Sequence, residues 1–200
     1  MGLKHSYTLF APLYDPLVQR ATLSARARSL SRLQGFEGRL LVPGFGTGLD
    51  IDFLPTQAHI SALDLTPAML DRAKARAAQT KLDINWHVGD AQALPFDDQQ
   101  FDAVLMHLIL AVVPQPELAL QEASRVLKRG GRLLILDKFL RQGSWSPIRR
   151  LLSPVIGQIA TRTNVVFEDL LVHTPELHVQ EDSSAGLGGW FRQIEATKSL

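Results

Sequence analysis

The sequence predicts an α/β fold: a doubly wound, seven-stranded sheet, mostly parallel, with an antiparallel hairpin at its C-terminal end and helices on both faces. Three observations carry this. Short, continuously apolar runs alternate with amphipathic stretches between residues 39 and 137, the rhythm of parallel strands covered on both sides. The first run flows directly into a glycine-rich turn, "LLVPGFGTGLD". Beyond residue 140 the rhythm changes, and two strand-like segments flank "AGLGG" near the C-terminus.

The elements follow in order. Residues 5–33 read as helical, with Tyr7, Phe10, Leu13, Tyr14, Leu17 and Val18 at helical spacing. Pro12 and Pro16 break the first helix, and a second spans 20–33, ending at Gly35. RLLVP (39–43) is a strand, followed by the glycine loop and a short helix that stops before Pro55. HISALD (59–64) is the second strand. Thr66 then caps a helix with Pro67 in its first turn. INWHV (84–88) and FDAVLMH (101–107) are the third and fourth strands. Pro116 opens a helix through Leu127, closed by the Gly130-Gly131 turn, and RLLILD (132–137) is the fifth strand. A basic, apolar helical stretch fills 145–161, a short helix covers 166–173, and segments 176–182 and 190–197 form the hairpin.

Two hundred residues suit one domain with a full core. The expected parts are N-terminal lid helices (1–35), a ligand-binding core (36–140), substrate-cap helices (141–175) and the hairpin (176–200). A formal charge of +1 gives no field to attract nucleic acid. The chain has no cysteine, which excludes disulfides, a thiolate nucleophile and a cysteine-based zinc site. His5, His59, His87, His173 and His178 lack metal-ligand spacing, so no metal is expected. The N-terminal stretch has no signal-peptide pattern, and no apolar run approaches the roughly 20 residues of a membrane span. These features point to a cytoplasmic protein.

In a doubly wound sheet, ligands bind beyond the carboxyl ends of the strands. Gly44, Gly46 and Gly48 give G-x-G-x-G, whereas a dinucleotide fold wants G-x-G-x-x-G. The phosphate-cradling reading is therefore the poorer fit. Asp64 ends the second strand, eighteen residues after Gly46, where a carboxylate can accept both hydroxyl protons of a ribose. Alone, such an aspartate is a turn former; with the glycine loop it reads as a nucleoside ligand. Asp90 follows the third strand in "GDAQALPFDDQQFDAV", where it can accept a hydrogen bond from an adenine amine.

These stretches, with "ALDLTPAMLDRAKAR" and "VLMHLILAVVPQPELALQEASRVLKRGGRLLILD", resemble the class I S-adenosylmethionine-dependent methyltransferases, which have a Rossmann-like fold. The nearest branch contains the ubiquinone/menaquinone C-methyltransferases and the bacterial phospholipid N-methyltransferases. The resemblance covers about residues 7–140. It implies that Gly44, Phe45, Gly46, Thr47 and Gly48 border the methionine and ribose of S-adenosyl-L-methionine. It implies further that Asp64 holds the ribose hydroxyls, that Leu65 and Met69 cover the adenine, and that Asp90 and Ala91 face its edge. Met106 and His107 would lie beside the sulfonium, and S-adenosyl-L-homocysteine would be the product.

Pro43 departs from the family pattern, in which Asp or Glu stands at that position and helps to order the loop and the cofactor's amino group. Losing one charge-assisted hydrogen bond costs about 1.5–3 kcal/mol, roughly 10- to 150-fold in affinity, unless Asp50 or Asp52 compensates.

Methyl transfer from a sulfonium is an in-line displacement, so holding the reactants in line is the main task. An amine acceptor must arrive unprotonated, and His107 is the candidate base; Tyr7 and Tyr14 are candidate acceptor contacts. Ile148, Leu151, Leu152, Val155, Ile156 and Ile159 repeat at helical spacing among Arg141, Arg149, Arg150 and Arg162, with Trp145 at the start. Such a helix either lies on an anionic membrane surface or caps the substrate site. The expected acceptor is a small amphiphile, foremost a phospholipid headgroup amine, met by a monomer or homodimer in the cytoplasm or peripherally at the membrane. A quinone-precursor C-methyltransferase and a non-catalytic cofactor-binding module are the alternatives.

Overall fold

The computed structural model describes residues 22–139, 165–185 and 191–200. Tyr7, Tyr14, the first lid helix and the basic stretch 145–161 lie outside the described residues, as does most of the "AGLGG" turn.

The seven strands are β1 (Arg39–Pro43), β2 (His59–Asp64), β3 (Asp83–Val88), β4 (Phe101–His107), β5 (Leu127–Lys138), β6 (Leu177–Ser184) and β7 (Phe191–Lys198). They form one sheet in the order β3-β2-β1-β4-β5-β7-β6. β1 to β5 pair in parallel, and β7 runs antiparallel between β5 and β6. The chain thus winds outward from β1 to β3, then crosses back to place β4 on the other side of β1. That reversal brings the carboxyl ends of β1, β2 and β4 together, the position of a ligand crevice in open α/β sheets.

Because side chains alternate across a strand, each apolar run feeds two cores. Leu41, Val104, Met106, Leu133 and Ile135 face α3 (Pro116–Val126) and α4 (Phe167–Leu171), meeting Ala119, Leu120, Ala123, Phe167 and Leu170. Leu40, Val42, Ile60, Ala62, Ala103, Leu105 and Leu134 face the opposite way, onto α1 (22–31) and α2 (Pro67–Ala77), meeting Leu30, Leu70 and Ala73. The C-terminal edge strand, β6, is polar. β6 exposes most of its length, including Glu181 and Asp182, which keeps an unpaired edge from recruiting another strand.

Two expectations need correction. The helix expected after the glycine loop is only a 3-10 turn, Ile51–Phe53, with Leu54 already extended before Pro55. The helix expected to run to Leu127 and close at Gly130-Gly131 instead ends at Val126, and the chain enters β5 at once. Its last carbonyls are taken from outside the helix. Gln99 and Gln100 amides donate to Arg125 O and Val126 O at 3.0 and 2.8 Å, and Lys198 Nζ donates to Ser124 O and Leu127 O at 2.7 and 3.0 Å. The two glycines lie inside β5, where the register against β4 shifts between Phe101 and Ala103. At Gly131 a Cβ would stand 2.7 Å from Leu127 Cδ1 and 2.8 Å from Lys128 O, so the excursion needs a bare residue.

Candidate active site

Pro43 ends β1 opposite Leu63 of β2. It contributes no N–H, and the next link between the two segments is Phe45 N–H donating to Leu63 O at 2.9 Å. Gly44, Gly46 and Gly48 all have positive φ, +69°, +58° and +78°, which favours glycine at each. Their surroundings separate them. A Cβ at Gly44 would lie 2.5 Å from Ile109 Cδ1, and one at Gly48 2.5 Å from Ile51 Cδ1, so these two are bare because protein packs against them. A Cβ at Gly46 would meet only Gly44 O, at 4.0 Å. The open side of the loop is therefore at Gly46. Phe45 turns into the core and meets Trp86 edge-on at 5.4 Å, so only its main chain borders that open side, and Thr47 is buried.

Asp64 reaches across from β2. Its Oδ2 accepts the Gly46 N–H at 2.8 Å and its Oδ1 the Thr66 N–H at 2.8 Å. Burial pushes the carboxyl above its ordinary value, against the pull of those two amides. A carboxylate has about four acceptor positions, so two amides leave room for two hydroxyls. Thr66 stands at the cap of α2 as expected, but its side chain makes no capping bond; Asp64 engages its amide instead. Leu65 is 50% exposed and Val88, beside Asp64 in the register, 60%, while Met69 is half-buried. Val88 escaped the sequence reading because its alternation in INWHV marks only a strand.

Asp90 is held by its neighbour. Its Oδ1 accepts the Gln92 backbone N–H at 2.9 Å, and the Gln92 amide donates to Oδ1 and Oδ2 at 3.0 and 3.1 Å. Ala91 and Met106 are core residues, packed in one cluster with Leu63, Leu110 and Ile135.

His107 sits in a buried polar cluster. Its Nδ1 is 2.8 Å from Asp50 Oδ1 and its Nε2 2.9 Å from Ser29 Oγ on α1. Arg26 Nη1 also reaches Asp50 Oδ1, at 2.7 Å, while Arg26 Nε donates to Thr22 Oγ1 at 3.0 Å. Burial alone would raise the Asp50 carboxyl, but His107 and Arg26 together hold it well below the usual range. An ionised carboxylate only accepts, so Nδ1 carries the hydrogen, and in the neutral ring Nε2 accepts from the Ser29 hydroxyl. Both ring nitrogens are thus engaged, leaving no free one for an acceptor's proton. Asp50 is tied to α1 and β4, and Asp52 is exposed on the 3-10 turn.

The loop after β4 is strained and pinned. Leu108 has φ +58°, costly for a branched residue, and donates its N–H to Leu136 O at 2.8 Å. Asp137, fully buried at the end of β5, accepts the Ala111 N–H at 3.0 Å and the Lys138 N–H at 2.7 Å. Burial pushes its carboxyl up to about 6, against those amides. The sequence signal for Asp137, an acid ending an apolar strand as Asp64 does, was present but not taken as functional. Among the described residues no group of acidic or histidine side chains could hold a metal ion.

The open side of Gly46, the spare acceptor positions of Asp64 and the exposed apolar Leu65 and Val88 fit an adenosine: a close main-chain approach, a ribose diol and a flat base.

Comparison with known proteins agrees. A family described as a methyltransferase domain matches residues 41–135. The chain is 28% identical over 193 residues to a phosphatidylethanolamine N-methyltransferase from Cereibacter sphaeroides, covering 95% of this chain and 94% of that protein. It is 44% identical over 105 residues to a ubiquinone/menaquinone biosynthesis C-methyltransferase from Ruegeria, covering 50% of this chain and 42% of that one, so the chain spans less than half of that relative. A crystal structure of a SAM-dependent methyltransferase from Thermotoga maritima superposes with a TM-score of 0.72 at 24% identity, covering 98% of this chain and 100% of that one. With the glycine loop, the strand-end acid and the matched stretch in agreement, the chain carries a methyltransferase domain over residues 41–135 and is similar to S-adenosylmethionine-dependent methyltransferases.

Proposed function

We propose that the protein transfers a methyl group from S-adenosylmethionine to the headgroup amine of a phospholipid. The observation that carries this is the extent of the likeness. Similarity to the phosphatidylethanolamine enzyme runs through 95% of the chain, including the segments that flank the cofactor core. Similarity to the quinone enzyme covers 50% of the chain, and a likeness of that length need not reach the acceptor-binding segments. The basic, apolar stretch 145–161 with Trp145 supports an amphiphilic acceptor and peripheral contact with an anionic surface. Among the described residues, no helix is long and apolar enough to cross a membrane.

The bound cofactor supplies an activated methyl group, and the protein supplies position. In this reading Gly44 to Gly48 let the main chain close on the cofactor, and Asp64 takes the ribose hydroxyls. Leu65, Val88 and Met69 cover the base, while Asp90, already ordered by Gln92, meets its edge. Tyr7 and Tyr14 are the proposed acceptor contacts. His107, engaged at both nitrogens, orients rather than abstracts, so the amine arrives as the free base from solvent.

Incubation with labelled S-adenosylmethionine and either phosphatidylethanolamine vesicles or a demethyl-quinone, followed by product mass analysis, tests this. Methylated lipid is expected. Methylated quinone with unchanged lipid would replace the proposal with carbon methylation.

A further inference from the structure

The cluster around His107 joins three separate parts of the chain: Arg26 and Ser29 from α1, Asp50 at the exit of the glycine loop and His107 at the end of β4. All four are buried, none above 6% exposed. We propose that His107 is a positioning residue, a strut that makes the order of the cofactor loop depend on the docking of α1; this rests on the reading that the glycine loop holds the cofactor.

The loop has two anchors. On its β2 side, Asp64 holds the Gly46 amide. On its far side, Asp50 directly precedes the 3-10 turn, whose Ile51 amide donates back to Gly48 O at 3.2 Å and whose side chain fills the space beside Gly48. Fixing the Asp50 side chain therefore fixes the second half of the loop. Asp50 is fixed by His107 at 2.8 Å and Arg26 at 2.7 Å, and His107 in turn by Ser29 at 2.9 Å.

With α1 displaced, Asp50 keeps His107 but loses Arg26, and His107 loses Ser29, so the second anchor is complete only while α1 is seated. One guanidinium and one imidazole thus converge on a single buried carboxylate oxygen, the paired and hydrogen-bonded arrangement that a buried charge requires. Pro43 makes this anchor matter more, since the first half of the loop lacks an N–H there.

The test is a double-mutant cycle read by S-adenosylhomocysteine binding in calorimetry, with folding checked by thermal melts. Ser29→Ala, on a helix the cofactor does not need to touch, is expected to weaken binding about fivefold, and Asp50→Asn about tenfold. The double variant should lose about tenfold rather than about fiftyfold, because both act through one strut. If Asp50→Asn does not fold, Ser29→Ala with His107→Asn completes the same cycle. His107→Asn keeps an amide near the Nδ1 position and His107→Gln one near Nε2; a strut needs both ends, so each should weaken binding. Wild-type affinity in Ser29→Ala or in both His107 variants, or multiplicative losses in the cycle, would overturn the strut. A wild-type protein that binds no S-adenosylhomocysteine would overturn the cofactor reading itself.

Discussion

The Asp64 carboxylate accepts the Gly46 N–H at 2.8 Å, so the acid expected to hold the ribose also holds the loop that faces it. One side chain thereby sets the geometry of two walls of the site. Asp64→Asn presents a donor where two amides and two hydroxyls need acceptors. It is expected to lower S-adenosylhomocysteine affinity about 10- to 100-fold in calorimetry. Unchanged affinity would place the ribose elsewhere.

The three loop glycines should fail differently. Gly46→Ala strains a residue at φ +58° but meets open space, so the expected stability loss is about 1–2 kcal/mol, with a marked loss of cofactor binding. Gly44→Ala and Gly48→Ala add a collision with Ile109 or Ile51 at 2.5 Å, and should lower denaturant midpoints further. Equal midpoints for all three would contradict the packing described.

Pro43→Glu restores the acid that the family carries and adds an N–H at the end of β1. A gain in S-adenosylmethionine affinity of about tenfold or more is expected from one charge-assisted hydrogen bond, measured by calorimetry against wild type. No gain would mean that the loop orders the cofactor's amino group without it.

Asp137 predicts a pH dependence of stability. Its folded carboxyl titrates at about 6, above the ordinary 3.8, so the folded protein binds this proton more tightly than the unfolded chain. The contribution is fully present below about 4 and is lost as pH rises through about 6, amounting to about 3 kcal/mol. Denaturant unfolding of wild type and Asp137→Asn between pH 4 and 7 should show the difference in stability shifting in favour of the variant as pH rises. A difference independent of pH would refute it. Asp50 works oppositely: its lowered carboxyl contributes above the ordinary value and is lost on strong acidification.

Strand runs, Pro67, Pro116, the glycine spacing and the acid at position 64 were all legible because each signal lies within a few residues of its cause. The errors arose where a distant partner decided the outcome. The Gly130-Gly131 pair looked like a helix cap, but Lys198 and the Gln99–Gln100 amides take the helix's last carbonyls first. The sequence offers His107 as a candidate base, and nothing near it in the chain shows that Asp50 and Ser29 engage both its nitrogens. Val88 and Asp137 ended strands in plain sight, yet only their neighbours across the sheet reveal that one is exposed beside Asp64 and the other sealed beneath the post-β4 loop.

Local pattern alone therefore determined that this chain makes a doubly wound sheet with a bare loop and an acid at its crevice, since periodicity and turn chemistry act over short separations. The tertiary structure alone decided that β4 lies beside β1 and that α1 covers the face they share. Those two placements bring positions 26, 29, 50 and 107 within hydrogen-bonding distance of one another. Such contacts follow from how the sheet is ordered and covered, which no short stretch of sequence encodes.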